Sequence, residues 1–213
     1  MPDKTPTTES PVVCQAGTIR GARAAPPPCC GTECPIEVMY EENFNQRRLC
    51  TDMELLAATT WPRPELARRI LVNLCRDQPA HFEDDARGLF PRLRARALPM
   101  DGLDKTLSRL AHTHEAAHAA FVLLIPALAC MAGGDLPGPG DRDALYRLAA
   151  AERRHLIVEN AILLPLARLR LSDADKSALM AGMRARRRQP RGTDFACARV
   201  FARLDLLFPG GPE

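Results

Sequence analysis

The chain has 213 residues, 46% of them hydrophobic but only 5% aromatic, with 29 Lys and Arg against 26 Asp and Glu. This length fits one domain of about 150 residues with flanking segments, and a net charge of +3 is too small to argue for a nucleic-acid partner. No basic-then-apolar leader is visible. The longest uncharged apolar run, 119–132, falls short of the roughly 20 residues of a membrane span and contains Pro126, so a soluble, cytoplasmic protein is expected.

Residues 1–34 are rich in Pro, Thr, Ala and Gly without apolar periodicity and read as a disordered segment. Four of the eight cysteines, Cys14, Cys29, Cys30 and Cys34, lie there, without the paired spacing of a zinc knuckle. Cys50, Cys75, Cys130 and Cys197 fall among apolar neighbours and are expected as buried free thiols.

Helix 1 is expected from Pro35 to about Thr59, with Pro35 at its first position and an inner stripe of Met39, Asn43, Gln46, Cys50, Met53 and Ala57. Trp61-Pro62-Arg63-Pro64 breaks the chain. Helix 2 should run from Pro64 to Ala97 on Leu66, Ile70, Leu74, His81, Asp85 and Leu89, with Pro79 and Pro91 as kinks or new starts. Helix 3 begins after Asp101 and stops at Gly133-Gly134. Its stripe is Leu103, Leu107, Leu110, His114, Ala117/His118, Phe121, Leu124 and Leu128.

Helix 4 should run from Asp141 to Leu171 on Leu145, Leu148, Glu152, His155, Glu159, Ile162, Leu166 and Leu169. Ser172-x-x-Asp175 resembles a capping box opening a shorter helix to about Gln189. The arginines Arg184, Arg186, Arg187, Arg188 and Arg191 read as its solvated C-terminus, with a nucleic-acid or acidic-partner contact as the alternative. Thr193 to Leu207 reads as a last amphipathic helix. No strand pattern or internal repeat stands out. The expectation is an all-α, up-down-up-down four-helix bundle over 35–189, preceded by a disordered segment 1–34 and followed by a helix and tail over 190–213.

Three of the four long helices carry a polar pair four residues apart on the inner stripe: His81/Asp85, His114/His118 and His155/Glu159. Four of the five histidines are in these pairs, and the fifth, His112, is read as solvated. A buried carboxylate without a partner costs several kcal/mol, on the order of 2–7. Imidazoles and carboxylates converging in a core therefore point to a metal such as iron, zinc or manganese. Glu152, one turn before His155, suits a ligand, a group orienting one, or a rim salt bridge.

These residues resemble the hemerythrin family, in particular hemerythrin-like (HHE cation-binding) domains. The resemblance is carried by Glu41-Glu42-Asn43-Phe44-Asn45-Gln46-Arg47, by His81 and Asp85 followed by Leu89-Phe90-Pro91, by His114 with His118, and by His155 and Glu159 followed by Leu164-Pro165. It implies a non-haem di-iron centre in a helical bundle. His114, His118 and His155 would hold one iron, His81 the other, and Asp85 and Glu159 would bridge. Asn43 stands where the family has a histidine, and Asp85 where a glutamate is usual, so the resemblance implies a weaker or asymmetric second site.

Three functions follow as expectations: binding or sensing of a small diatomic ligand, O2 or NO; a di-iron enzyme acting on peroxide or NO; and a metal-stabilised bundle acting through protein contacts of its C-terminal helix. No other catalytic motif stands out.

Overall fold

The computed structural model describes residues 34–188; all but the last residue of the segment read from sequence as 1–34, and the helix read over 193–207, lie outside it. Helix α1 (Pro35–Ala58) has its proline in the first turn, where a missing N–H costs nothing. Helix α2 (Pro64–Asp84) starts in the same way and carries Pro79 inside. A π turn (Asp85–Leu89) joins it to α3 (Phe90–Arg96). A short 3-10 turn (Pro99–Asp101) and Gly102, whose φ of 59° suits glycine, lead into α4 (Leu103–Ala132). Then follow α5 (Pro139–Val158), a second π turn (Glu159–Leu163) and α6 (Leu164–Arg170). Ser172 opens α7 (Asp173–Arg188), and its capping box forms: Asp175 Oδ2 accepts from the Ser172 N–H at 3.1 Å, and Ser172 Oγ accepts from the Asp175 N–H at 3.2 Å.

The α2–α3 and α5–α6 units act as single long helices, so α1, α2–α3, α4 and α5–α6 make an up-down-up-down bundle. The pairs α1 with α5, α2 with α4, α4 with α5 and α1 with α2 close the ring, and α7 lies outside it against α1, α2 and the first π turn. By length and composition α4 could cross a membrane, with a mean hydropathy of 1.8 over its most apolar 18 residues. The shorter run 119–132 understates it. In the fold α4 turns Leu107, Leu110, Ala117, Phe121 and Leu128 into the bundle as a core helix.

The core comes in two halves. One contains Leu49, Met53, Ile70, Leu74, Phe121, Leu128, Leu145 and Leu148; the other contains Ile36, Met39, Leu89, Phe90, Leu93, Leu107, Leu163 and Leu179. The buried polar groups Asn43, Gln46, Gln78, His81, Asp85, His114, Glu152, His155 and Glu159 belong to neither half and interrupt the apolar packing.

Both π turns begin at a carboxylate and precede a proline. The Phe90 N–H bonds Asp85 O and the Leu164 N–H bonds Glu159 O, each five residues back. Pro91 and Pro165 lack an N–H, and a proline ring crowds the carbonyl four residues before it; one extra residue in the turn opens that space. The insertion also corrects the inner stripe of helix 4. Upstream it runs as expected through Leu145, Leu148, Glu152, His155 and Glu159. Beyond the turn the buried positions are Leu163, Leu164, Ala167 and Leu171, one residue late, while Ile162 and Leu169 face solvent.

An internal repeat, invisible in composition, emerges from the same elements. Positions 78 and 152, 81 and 155, 85 and 159, and 91 and 165 stand at one constant offset of 74. The offset extends to ion pairs: Arg96 Nε bonds Asp175 Oδ2 at 2.8 Å, and Arg170 Nε bonds Asp101 Oδ2 at 2.9 Å.

Three further expectations change. Cys130 is exposed, and Cys75 is disulfide-bonded rather than a free thiol; Cys50 is the buried free thiol expected. Arg186, half-buried, and Arg187, exposed, are not simply solvated: they pair with the buried Asp84 at 2.6 and 2.9 Å, because α7 packs over the first π turn. Gly88 allows this approach, since a Cβ there would lie 2.7 Å from Leu179 Cδ1.

Candidate metal centre

Helical spacing places His81 above Asp85 on one long helix and His155 above Glu159 on its counterpart, and the bundle turns both pairs inward. All four residues are at most 2% exposed. One ligand atom from each lies within 4.8 Å of the others. His81 Nε2 is 3.5 Å from Asp85 Oδ2 and 3.5 Å from Glu159 Oε2, and His155 Nε2 is 2.8 Å from Glu159 Oε1. His114, from α4, brings its Nε2 to 3.0 Å from His155 Nε2 and 3.7 Å from Asp85 Oδ2. Phe82 stacks on the His114 ring at 4.0 Å between centroids, with Phe90 also stacked at 5.7 Å.

Asn43 reaches the cluster from α1. Its Nδ2 donates to Glu159 Oε2 at 3.0 Å and to Asn160 Oδ1 at 3.2 Å. It holds the carboxylate rather than turning its own oxygen toward it. His118 does not join the cluster. It is exposed, because the buried line of α4 runs His114, Ala117, Phe121, Leu124 and the helix carries position 118 past that face. The three-histidine group of His114, His118 and His155 is therefore not assembled. His112 is exposed, 3.7 Å from Glu115.

Burial and charge act together here. Burial alone would depress the His81 pKa, but the Asp85 and Glu159 carboxylates hold it well above the ordinary value. Burial, and then the Glu159 charge, push Asp85 well above the carboxylate range. Burial works against ionised Glu159 too, yet His155 and His81 keep its pKa well below that range. Burial and the neighbouring His155 lower His114 to about 3. Relative to free side chains, the metal-free cluster thus favours the protonated forms of His81 and Asp85 and the ionised form of Glu159, and disfavours protonated His114.

The donor atoms are short of partners. Both ring nitrogens of His81, both oxygens of Asp85, and Nδ1 of His114 and of His155 make no hydrogen bond among the described residues. Leaving such groups buried and unpaired costs about 1–3 kcal/mol each. A first-row metal ion with bonds of about 2.0–2.2 Å draws its donors to about 3–4 Å of one another, and here neighbouring donors lie 2.8–3.5 Å apart in a group no wider than 4.8 Å. The residues fit a metal.

Around the cluster lie groups the sequence signalled weakly. Gln78 Nε2 donates to Glu152 Oε1 at 2.6 Å, so Glu152 pairs with an amide rather than an arginine. Only the offset of 74 ties these two positions together in the sequence. Glu42 Oε2 stands 3.7 Å from His81 Nδ1 and is gripped on its other side by Arg187. A carboxylate behind a metal-facing imidazole fixes which ring nitrogen is turned inward. Glu42 was legible only as part of the helix 1 motif.

A search of the curated proteins finds no match to this chain. The model of the hemerythrin HHE cation-binding domain matches residues 34–167, a range that contains the whole cluster, His114 and Asn43. With a match over most of its length and a cluster fit for a cation at the centre of its bundle, the chain belongs to the hemerythrin HHE cation-binding domain family.

Proposed function

We propose that the cluster is a non-haem iron centre that binds or senses a small diatomic ligand, O2 or NO. The observation that carries this reading is the convergence of His81, Asp85, His155 and Glu159 within 4.8 Å, buried and with donor atoms unpaired. Mixed imidazole and carboxylate donors suit iron. These four residues would hold the first ion, with His114 beside them. Iron there supplies an open coordination position for a neutral diatomic molecule. The chain's own part is to exclude bulk water with Phe82, Phe90 and Phe121 and to hold Glu159 in place through Asn43.

The centre is asymmetric in this reading. His118 is outside it, and Asn43 donates to Glu159 where the resemblance leads one to expect a histidine ligand. Metal content after anaerobic loading with iron(II), followed by absorption spectra under O2 and under NO, tests it. One tightly held iron per chain with a spectrum that responds to either gas is expected. Two equally tight irons would overturn the asymmetry, and no iron would overturn the centre. Turnover of peroxide or NO would favour the enzymatic alternative.

A further inference from the structure

A pocket of about 300 Å³ opens between α1 and α2 and ends on His81. Its rim includes the exposed residues Asn45 and Asp77, and its wall includes Glu42, Gln46, Asn73 and Arg187. Four atoms of these lining residues are buried and make no hydrogen bond among the described residues: Glu42 Oε2, Gln46 Oε1, Asn73 Oδ1 and His81 Nδ1. Three are acceptor oxygens, and the fourth is the outer nitrogen of an imidazole whose inner nitrogen faces Asp85 and Glu159. Gln46 is only 3% exposed and His81 only 2%. Deeply buried side chains thus line the pocket alongside the carboxylates at its mouth.

Glu42 Oε2 faces His81 Nδ1 at 3.7 Å, whereas Gln46 Oε1 and Asn73 Oδ1, acceptor oxygens with no donor among the described residues, call for water or a cation. Oxygen donors from carboxylates and amides are the ligands that accept a hydrated divalent ion as it loses its shell. We propose that this pocket is the entry vestibule of the metal centre. A divalent transition-metal ion is drawn in past Asp77, exchanges water for Asn73 Oδ1 and Gln46 Oε1, and is handed to the cluster beside His81. Arg187, from a helix beyond the residues matched to the family, stands at the mouth and opposes cations while it holds Glu42. This inference rests on reading the cluster as a metal centre.

Uptake kinetics separate the two claims. The probe is cobalt(II), mixed rapidly with the full-length metal-free protein and followed by its d–d absorption. One variant, Asp77→Asn with Asn73→Leu, removes the attraction and one oxygen. A second, Asn45→Trp, plugs the rim from an exposed position and leaves the core untouched. Each is expected to slow uptake about tenfold, the lower range for electrostatic guidance into a cleft, while final stoichiometry stays at the wild-type value. Wild-type rates in both variants would overturn the vestibule and leave the centre standing. Lower stoichiometry at an unchanged rate would show these residues acting as ligands or supports, which also overturns it. A wild-type protein that takes up no cobalt would remove the centre and the vestibule together.

Discussion

Asp85 and Glu159 occupy matching positions on matching helices, yet the bundle treats them oppositely. Glu159 has two imidazoles and the Asn43 amide around it, whereas Asp85 has His81 and His114 at 3.5 and 3.7 Å but no amide donor, and faces the Glu159 charge. Asp85 and His81 both have raised pKa values, so each holds its proton more tightly than a free side chain does. A metal competes with those protons, and its uptake should release protons. Affinity should therefore rise with pH and fall in acid. Proton release measured with an indicator dye in weakly buffered solution checks this, and an affinity independent of pH would contradict it. Asn43 provides a second test at this scale. Its amide nitrogen lies 3.0 Å from Glu159 Oε2, and an imidazole in that place would add a strong donor beside a bridging carboxylate. Asn43→His should raise iron bound per chain and strengthen binding by about 10–100-fold at the added site. Unchanged stoichiometry would mean that the position is structural only.

The helices were legible from apolar spacing, because 3.6-residue periodicity and Pro, Gly and Ser signals act locally. His81, Asp85, His155 and Glu159 were placed correctly on buried faces for the same reason. The extra residue of each π turn was not legible. It leaves no compositional mark, and only the recurring proline hinted at it, so the stripe after Glu159 was read one residue early. His118 was misplaced because the polar stripe of α4 is one residue wide at His114. The pairing of Arg186 and Arg187 was hidden because their acidic partners lie more than a hundred residues earlier in the chain. The crosswise pairs Arg96–Asp175 and Arg170–Asp101 give a prediction of their own. Hydrogen bonds from the Arg170 side chain and then the Leu98 backbone lower Asp101 to about 2, and those from Ser172 and then Arg96 do the same for Asp175. With folded pKa values below the ordinary value of about 3.9, both carboxylates stabilise the fold at neutral pH. That contribution is lost as pH falls from about 4 through about 2. Asp101→Asn with Asp175→Asn should lower the denaturation midpoint at pH 7, and the difference from wild type should vanish near pH 2. A difference independent of pH would point to packing instead.

The whole molecule stores its functional demand as an incomplete core. Two apolar halves are separated by a layer of carboxylates, imidazoles and amides, several of whose atoms make no hydrogen bond among the described residues. The four long helices contribute to this layer through Asn43, His81, His114 and His155, so an ion bound there ties the bundle together. Metal should then stabilise the fold by mass action, because the unfolded chain does not assemble the site. With free iron(II) at a thousandfold excess over its Kd, the gain is about 4 kcal/mol. For a domain of this size each kcal/mol moves Tm by about 2–4 °C, so a rise of roughly 8–16 °C is expected. Calorimetry under anaerobic conditions, with and without iron(II), measures it. Asp85→Ala and Glu159→Ala each remove a ligand, and their Tm should respond far less to iron. If both variants gained as much as wild type, the ion would be acting elsewhere on the chain, and the polar layer would owe its stability to something other than metal.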